Sequence, residues 1–584
     1  MAEPVIVVLN ASGQALAQRL QTQFGWAVHG RAERVSNADI LFPNALDHIR
    51  ELFVSGQPVI GIAASGILIR AVAPVLASKT TDPPVIALTD DGQTVIPLLG
   101  GHHGANRLAR EIAAFTNGNA GVTTAGDLGL GLALDDPPPG WRLGTPQLAA
   151  KAMGDLISGR GARVNGVSNW LNSLPAGDLD IDITTAPPKP NILTYHPLRI
   201  TLGVGCSRNC PPDELRVLVE QALQDANVAP LALRGVFSLD LKGDEPAIIA
   251  LARDLNLPLR LFTATELEAQ TPRLANPSDV VFAEVGCHGV AEGAALAGAG
   301  SDAKLLREKR KSHNATVALA IAPEPITSLH GKPRGHLAIV GIGPGQATWR
   351  TPEVSRMVAE ASDLVGYGLY IDLLGPLAAG KPRHDFPLGG EEARCRHALM
   401  LAAQGKNVAL ICSGDAGIYA MATLVYEVLS HNDIPAASRV EIVVSPGISA
   451  LQAAAARAGA PLGHDFCAIS LSDLLTPIDD IRKRLKAAAE GDFVIAFYNP
   501  VSERRRTLLG EARDILLSHR PADTPAILAR SLGRPDETIH HRTLETLQVD
   551  EVDMMTVVLV GSSQSKRIET ADGPRVYTPR GYLK

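Results

Sequence analysis

The segment Asn407 to Ala422, NVALICSGDAGIYAMA, decides how the second half of this chain is read. Val408 to Cys412 is a short apolar run of the kind that fills a buried strand of a parallel sheet. Gly414 and Gly417 then give the backbone freedom for a sharp exit and let a ligand approach the main chain closely. Asp415 is thereby set at a carboxyl edge, where ligands of open α/β sheets bind. Taken alone, the stretch fits equally an ordinary strand-to-helix loop in which Asp415 caps the helix.

The pattern recurs in order along the chain. HLAIVGIGPG (336–345) is a buried strand ending in glycines, VEIVVSPGISALQ (440–452) a strand, a Pro-Gly turn and a helix of small residues, and FVIAFYNPVSERRR (493–506) and PAILARSLGRPDETI (525–539) are strands with polar ends. GIGPG is not a dinucleotide fingerprint: the sixth position is Gln346 rather than glycine, and Pro344 removes an amide that would face the pyrophosphate. An oxidoreductase reading is therefore minor.

This ordered set closely resembles the class III tetrapyrrole methyltransferases, which use S-adenosylmethionine, and within them the precorrin-3B C17-methyltransferases, over nearly all of residues 335–565. Gly414-Asp415-Ala416 stands where the wider class has Gly-Asp-Pro, a departure that fits the C17 branch. The resemblance implies two α/β lobes, 335–448 and 449–584, with S-adenosylmethionine between them. Carried onto this chain it points to Pro344, Ser413, Gly414, Asp415, Ile418, Tyr419, Ser449, Ala450, Tyr498, Asn499 and Arg530 as the cofactor pocket. Asp415, Tyr419 and Tyr498, with His384, are the candidates for moving protons during ring contraction. Methyl transfer to carbon needs placement of methyl and carbon more than a strong base. Arg504, in a basic run that elsewhere is simply a solvated helix start, is a candidate for a substrate carboxylate. The resemblance also implies a homodimer through this half.

The first half alternates strands and helices as an α/β fold does. GIAASGILIRAVAPVL (61–76) ends a strand at Ser65 and Gly66 and starts a helix carrying Arg70, while TVIPLLGGHHGANRLAREIA (94–113) puts His102 and His103 on a glycine-flanked loop. Histidines so placed suit general acid–base work near neutral pH, or helix capping and solvation. SGILIRAVAPVL, DDGQTVIPLLGGHHGANRLAREIA and VTTAGD resemble the N-terminal domain of the cobalt-precorrin-5A hydrolases. GVGCSRN (203–209), SLDLKGDEPAI (238–248) and EVGCHGVAEGAAL (284–296) resemble their C-terminal domain. The implied chemistry is opening of a lactone on the contracted macrocycle with release of a two-carbon aldehyde. Ser65, His102 and His103 are candidate catalytic groups there, and Arg70, Arg208, Lys242 and Lys304 candidate partners of substrate carboxylates. The alternative is a non-catalytic corrinoid-binding module.

Cys206, Cys210, Cys287 and His288 have the residue types of a zinc site, but C-x3-C plus an adjacent Cys-His pair is not the usual structural spacing, and no metal is expected. In these terms the strand-end loops at 206–210, at Lys242 and at 287–288 converge if their strands are neighbours in a parallel sheet. The expected division is 1–127, a connecting domain 128–190, 191–322, a proline-rich linker 323–334, and the two lobes. The fold class is thus multidomain α/β.

Bulk properties agree. A net charge of −7 and 4% aromatic residues argue against nucleic acid as a partner. Hydrophobic residues at 46% and charged residues at 20% suffice for packed cores. Six cysteines in so long a chain suit a reducing compartment, the N-terminus has no basic region before its brief apolar run, and no segment is long enough to span a bilayer. A cytoplasmic protein without membrane partners is expected.

Overall fold

The structure is a computed structural model. It describes residues 3–78, 81–101, 104–123, 132–502 and 505–582.

The first sheet has seven strands: β1 (Val5–Val8), β2 (Ala27–Arg31), β3 (Ile40–Phe42), β4 (Val59–Ile62), β5 (Val85–Leu88), β6 (Thr94–Leu99) and β7 (Asn119–Ala120). Their order, β3-β2-β1-β4-β5-β6-β7, reverses between β1 and β4, so the loops leaving these two strands diverge to opposite faces. β1, β4 and β5 are apolar at every position because helices cover both faces. Val8 and Ile6 pack on one side and Val5 and Val7 on the other.

A small four-stranded sheet follows, β8 (Trp141–Leu143), β9 (Ala162–Asn165), β10 (Leu179–Ile183) and β11 (Leu193–Pro197), in the order β8-β11-β10-β9. The next six strands are β12 (Ile200–Cys206), β13 (Leu233–Leu239), β14 (Leu259–Phe262), β15 (Lys304–Lys311), β16 (Ala315–Ile321) and β17 (Lys332–Pro333). In their sheet β12, β13 and β14 are parallel, and β17 ties the end of the proline-rich segment antiparallel to β14.

Two expectations about this third sheet are corrected. Asp279–Val285 is a helix, capped by the Ser278 hydroxyl and ended by Gly286 in the left-handed region, so Cys287 and His288 join two helices instead of leaving a strand. Lys304 pairs with Ile321, which also pairs with Ile200 at the start of β12. It therefore lies at the end of the sheet opposite the Cys206 loop.

The remaining strands build two further layers. β18 (His336–Gly341), β19 (Asp363–Tyr367), β20 (Arg383–Phe386), β21 (Asn407–Cys412) and β22 (Glu441–Ser445) form an all-parallel sheet in the order β20-β19-β21-β18-β22. β24 (Phe466–Ser470), β25 (Val494–Tyr498), β26 (Pro525–Arg530), β27 (Thr538–Thr543) and β28 (Thr556–Val560) form a mixed sheet in the order β24-β25-β28-β26-β27. β23 (Gly459–Ala460) joins the hairpin of β29 (Lys566–Thr570) and β30 (Gly573–Tyr577). The first sheet docks on the parallel one through the helix Ala45–Val54. Glu51 on that helix pairs with Arg350, whose side chain is 3% exposed and also bonds Ser355.

His29 and His48 lie buried side by side in the first domain, Nδ1 of one 2.9 Å from Nε2 of the other, with His48 stacked on Phe42. Burial pulls both down to about 3. The unfolded chain therefore takes up protons first, near the ordinary value of about 6.5, and stability present above that pH is lost as pH falls towards 3. Each histidine is expected to cost about 1.4 kcal/mol per pH unit below 6.5. Hydrogen-exchange protection of β2 at pH 7 and pH 5 measures this, and the double variant His29→Leu/His48→Leu should flatten the difference.

Candidate functional site

At the carboxyl edge of the parallel sheet the loops leaving β18, β21 and β22 lie backbone against backbone. Gly343 and Gly414 exchange two hydrogen bonds, Gly343 N–H to the Gly414 carbonyl at 3.1 Å and Gly414 N–H to the Gly343 carbonyl at 2.8 Å. A Cβ on Gly341 would stand 2.6 Å from the Gly414 oxygen, and one on Gly447 would overlap the Gly414 and Gly341 carbonyls. Gly414 itself has room but sits at φ +69°, where only glycine is unstrained.

Asp415 locks the arrangement. Its Oδ1 accepts the Gly417 amide at 2.8 Å and its Oδ2 the Gly447 amide at 3.1 Å, joining the β21 and β22 loops. The helix-cap alternative is corrected here: the helix starts at Met421 after Ala420, which makes no side-chain cap. With both oxygens engaged by amides, Asp415 is a loop clamp.

The mixed sheet closes the other side of a cleft. Pro344, Ser413, Gly414, Asp415, Ile418, Tyr419, Ser449, Ala450, Tyr498 and Asn499 all line it, together with Tyr370, Ser531, Arg534 and Met555, around about 900 Å³ of space open to solvent. Tyr419 crosses between the two layers. Its hydroxyl donates to the Ala468 carbonyl at 3.0 Å and its ring lies 5.1 Å from that of Tyr498. Its backbone is at φ +50°, an arrangement that costs a non-glycine residue on the order of 1–3 kcal/mol and concentrates at functional sites. The Tyr498 hydroxyl accepts the Leu451 amide at 3.1 Å. Burial raises both phenols, so at neutral pH they are hydroxyl donors and not bases.

Several sequence candidates lie elsewhere. Arg530 follows Ala529 on β26, and alternation sends its side chain to the other face, where it pairs with Asp553 at 2.7 Å and Asp536 at 3.1 Å. His384 contacts Asp363 at 3.0 Å and His397 at 2.9 Å, with Lys406 on the same carboxylate at 2.8 Å. Asp363 begins β19, so this network is at the end of the sheet away from the cleft. Arg504, His102 and His103 lie outside the described residues. The sequence reading missed Tyr370, Ser531 and Arg534. The glycine and proline of the LGRPDE turn were the available signal.

In the first domain Ser65 shares a hollow with Thr89, Asp90 and Asp91, and the Ser12 hydroxyl donates to Asp90 from the β1 loop. Arg70 lines the neighbouring hollow with Arg31 and Asn44. In the third domain Arg208 pairs with Asp244 at 2.5 Å, bringing the loops after β12 and β13 together beside Lys242. Cys287 is instead buried against Phe237 and Phe262, and His288 is held by Glu268 at 3.0 Å. Burial pushes the Cys206 thiol up to about 12. Among the described residues no group of three or more His, Cys, Asp or Glu side chains is placed to hold a metal ion, and no single helix is long and apolar enough to cross a membrane.

Comparison with known proteins sorts these units. Residues 336–548 match the family model for tetrapyrrole (corrin/porphyrin) methylases, 47–127 that for the cobalamin synthesis G N-terminal region, and 200–320 that for its C-terminus. The class is thus a tetrapyrrole methylase joined to cobalamin-synthesis modules. The precorrin-3B C(17)-methyltransferase of Sinorhizobium sp is 45% identical over 249 residues, 42% of this chain and 97% of the relative. The probable cobalt-factor III C(17)-methyltransferase of Salmonella typhimurium is 44% identical, covering 42% of this chain and 99% of that protein. The cobalamin biosynthesis protein CobIJ of Mycobacterium tuberculosis is 38% identical, and this chain spans 64% of its length. A solved structure of the methyltransferase CobJ, 42% identical, is matched over 42% of this chain and all of that one, with TM-score 0.40. Through its C-terminal region the chain belongs to the precorrin-3B C17-methyltransferase family.

The glycine packing gives a direct expectation. Gly447→Ala should lower stability by about 1–3 kcal/mol through overpacking. Gly154→Ala, in a helix where a Cβ meets nothing, should raise it by about 0.5–1 kcal/mol. Thermal unfolding of the two variants beside the parent chain checks the opposite signs.

Proposed function

We propose that the chain methylates C17 of precorrin-3B, or of its cobalt-containing counterpart, with S-adenosylmethionine as methyl donor, and contracts the ring in cobalamin synthesis. What supports this is the cleft that gathers segments flanking seven strands from two sheets, within a family whose named members act at C17. Its residues suit the cofactor: a glycine-walled cradle that no side chain could share, hydroxyls of Ser413 and Tyr498, and apolar surface from Ile418, Leu532 and Val557. The bound cofactor supplies an electrophilic methyl group on a sulfonium.

The chain's own residues then act by placement. Asp415 fixes the two loops of the cradle against each other. Tyr419 and Tyr498, protonated at neutral pH, face the cleft as an aromatic wall across the two layers. Holding methyl and carbon in near-attack geometry supplies the larger part of the barrier reduction, since orientation alone is worth roughly 7–11 kcal/mol in favourable cases. The six cysteines, all free, suit a cytoplasmic enzyme. Dimerisation through this half is assigned on family resemblance.

For the first half we assign lactone opening on a contracted cobalt corrinoid, at the carboxyl edge where Ser12, Ser65 and Asp90 gather, with Arg70 in the neighbouring hollow. Aldehyde release by the full chain from a lactone-bearing cobalt corrinoid, lost in Asp90→Asn, is the expected result. Tight binding of the corrinoid without aldehyde would make this half a carrier module.

Incubation with S-adenosylmethionine and precorrin-3B or its cobalt counterpart should add one methyl mass and change the absorption spectrum. Asp415→Ala, by freeing the Gly417 and Gly447 amides, should weaken S-adenosylhomocysteine binding about tenfold or more, roughly 1.4 kcal/mol. Calorimetric titration of folded protein reads this, and unchanged affinity would remove Asp415 from the cradle.

A further inference from the structure

Arg534 stands in the wall of the cleft on the turn after β26, and the acids around it are already occupied. Asp536 and Asp553 hold Arg530. Glu537 accepts Arg457 at 2.6 Å and the Gly533 amide at 2.6 Å. Asp415, the carboxylate lining the cleft, is committed to two amides. Arg534 itself reaches only a carbonyl and a thioether: Nε donates to the Pro344 oxygen at 3.4 Å, and Nη1 approaches the Met555 sulfur at 3.9 Å. Among the described residues no carboxylate forms an ion pair with it.

The side chain is nonetheless held in place. Gly345, the last glycine of GIGPG, leaves bare backbone under its stem, where a Cβ would stand 2.9 Å from the Arg534 Cγ. Ser531 and Gly533, at φ +51° and +69°, shape the turn that aims it across to the parallel sheet. Tyr370 lines the same wall. Burial raises its phenol, and the positive charges of Arg534 and Arg394 partly offset that rise. Arg394 is buried, its Nη2 donating to the Pro387 carbonyl at 3.0 Å, its Nη1 3.9 Å from the Met421 sulfur and its Nε without a partner. It too has no carboxylate among the described residues.

At Arg534 the wall of the cleft therefore carries a positive charge that no carboxylate among the described residues pairs. A guanidinium in a partly closed site pairs most favourably with a carboxylate, two parallel N–H···O bonds fixing its plane. The geometry points to Arg534 as the carboxylate anchor of the cleft, a positioning residue that takes one carboxylate of the bound ligand beside the Tyr370 hydroxyl. This rests on the cleft being the cofactor and macrocycle site, and adds to that reading the group that orients a ligand in it. Two carboxylates have this chemistry: the amino-acid end of the cofactor and an acid arm of the macrocycle.

The test is calorimetric titration of the full chain and of Arg534→Met and Arg534→Lys with S-adenosylhomocysteine and with 5′-methylthioadenosine, which lacks the amino-acid end. KM for the tetrapyrrole is measured alongside. If the cofactor's carboxylate is the one held, Arg534→Met weakens S-adenosylhomocysteine about tenfold or more while methylthioadenosine changes less than about twofold, as loss of a charged hydrogen bond implies. If the macrocycle's is held, both nucleosides bind as before and KM rises about tenfold with kcat little changed. In either case Arg534→Lys, keeping charge without the fork, should recover part of the loss. Equal weakening of both nucleosides in Arg534→Met would reduce Arg534 to a strut between the sheets, and no change in any of the three quantities would overturn the proposal. Parent chain that binds neither nucleoside defeats the cofactor reading itself and, with KM unmoved by Arg534→Met, the anchor as well.

Discussion

Gly341, Gly414 and Gly447 end three neighbouring parallel strands where there is no space for side chains between them, and the cleft depends on that contact. Two of the three positions exclude a Cβ by collision with carbonyl oxygens, and the third excludes it by its backbone angle. Because the loops touch through their main chains, their remaining faces are free to form one continuous wall. Asp415 then converts contact into a fixed relation by accepting two hydrogen bonds from backbone amides, the longer reaching 32 residues along the sequence. A carboxylate accepting backbone N–H groups makes bonds about twice as strong as neutral ones, which suits a joint between loops.

The two sheets flanking the cleft are joined by a few contacts of different chemistry. The Tyr419 hydroxyl reaches the Ala468 carbonyl, Arg534 reaches the Pro344 carbonyl, and the Arg457 guanidinium lies 4.4 Å above the Trp349 ring. All three link the loop region of the parallel sheet to the mixed sheet, and two involve residues that also line the cleft. Relative movement of the sheets would therefore be felt in the cleft first. The first domain is coupled to the parallel sheet in another way. Arg350, nearly inaccessible, has Glu51 as its ionic partner, and a buried guanidinium deprived of its carboxylate costs several kcal/mol. That interface holds the hollows of the first domain at a fixed relation to the methylase region, where a bare tether would only raise their mutual concentration.

Much of this was readable in the order of the residues. Short apolar runs ending in glycine or proline gave β18, β21, β22 and β25, and the residues directly after them proved to share one cleft, because a parallel sheet puts all its strand ends on one side. What failed depended on information that runs across the sheet. Arg530 and Ala529 are adjacent in sequence and opposite in direction, and parity could have been counted only from a strand whose facing side was known. Asp279–Val285 carries Val-Val-Phe, which favours a strand, yet Ser278 at one end and Gly286 at the other cap it as a helix. Lys304 was grouped with Arg208 by charge alone, and only the register of β15 on β16 reveals that they stand at opposite ends.

The arrangement of ionisable groups bears on what kind of catalyst this cleft is. The phenols of Tyr419, Tyr498 and Tyr370 are all raised by burial, and Asp415 spends both oxygens on amides. His384 and His397 bond each other, and His384 bonds Asp363, away from the cleft. Among its described residues the cleft thus offers phenol hydroxyls and one guanidinium, that of Arg534. Such a lining is suited to holding anionic ligands in register and to stabilising charge as it moves.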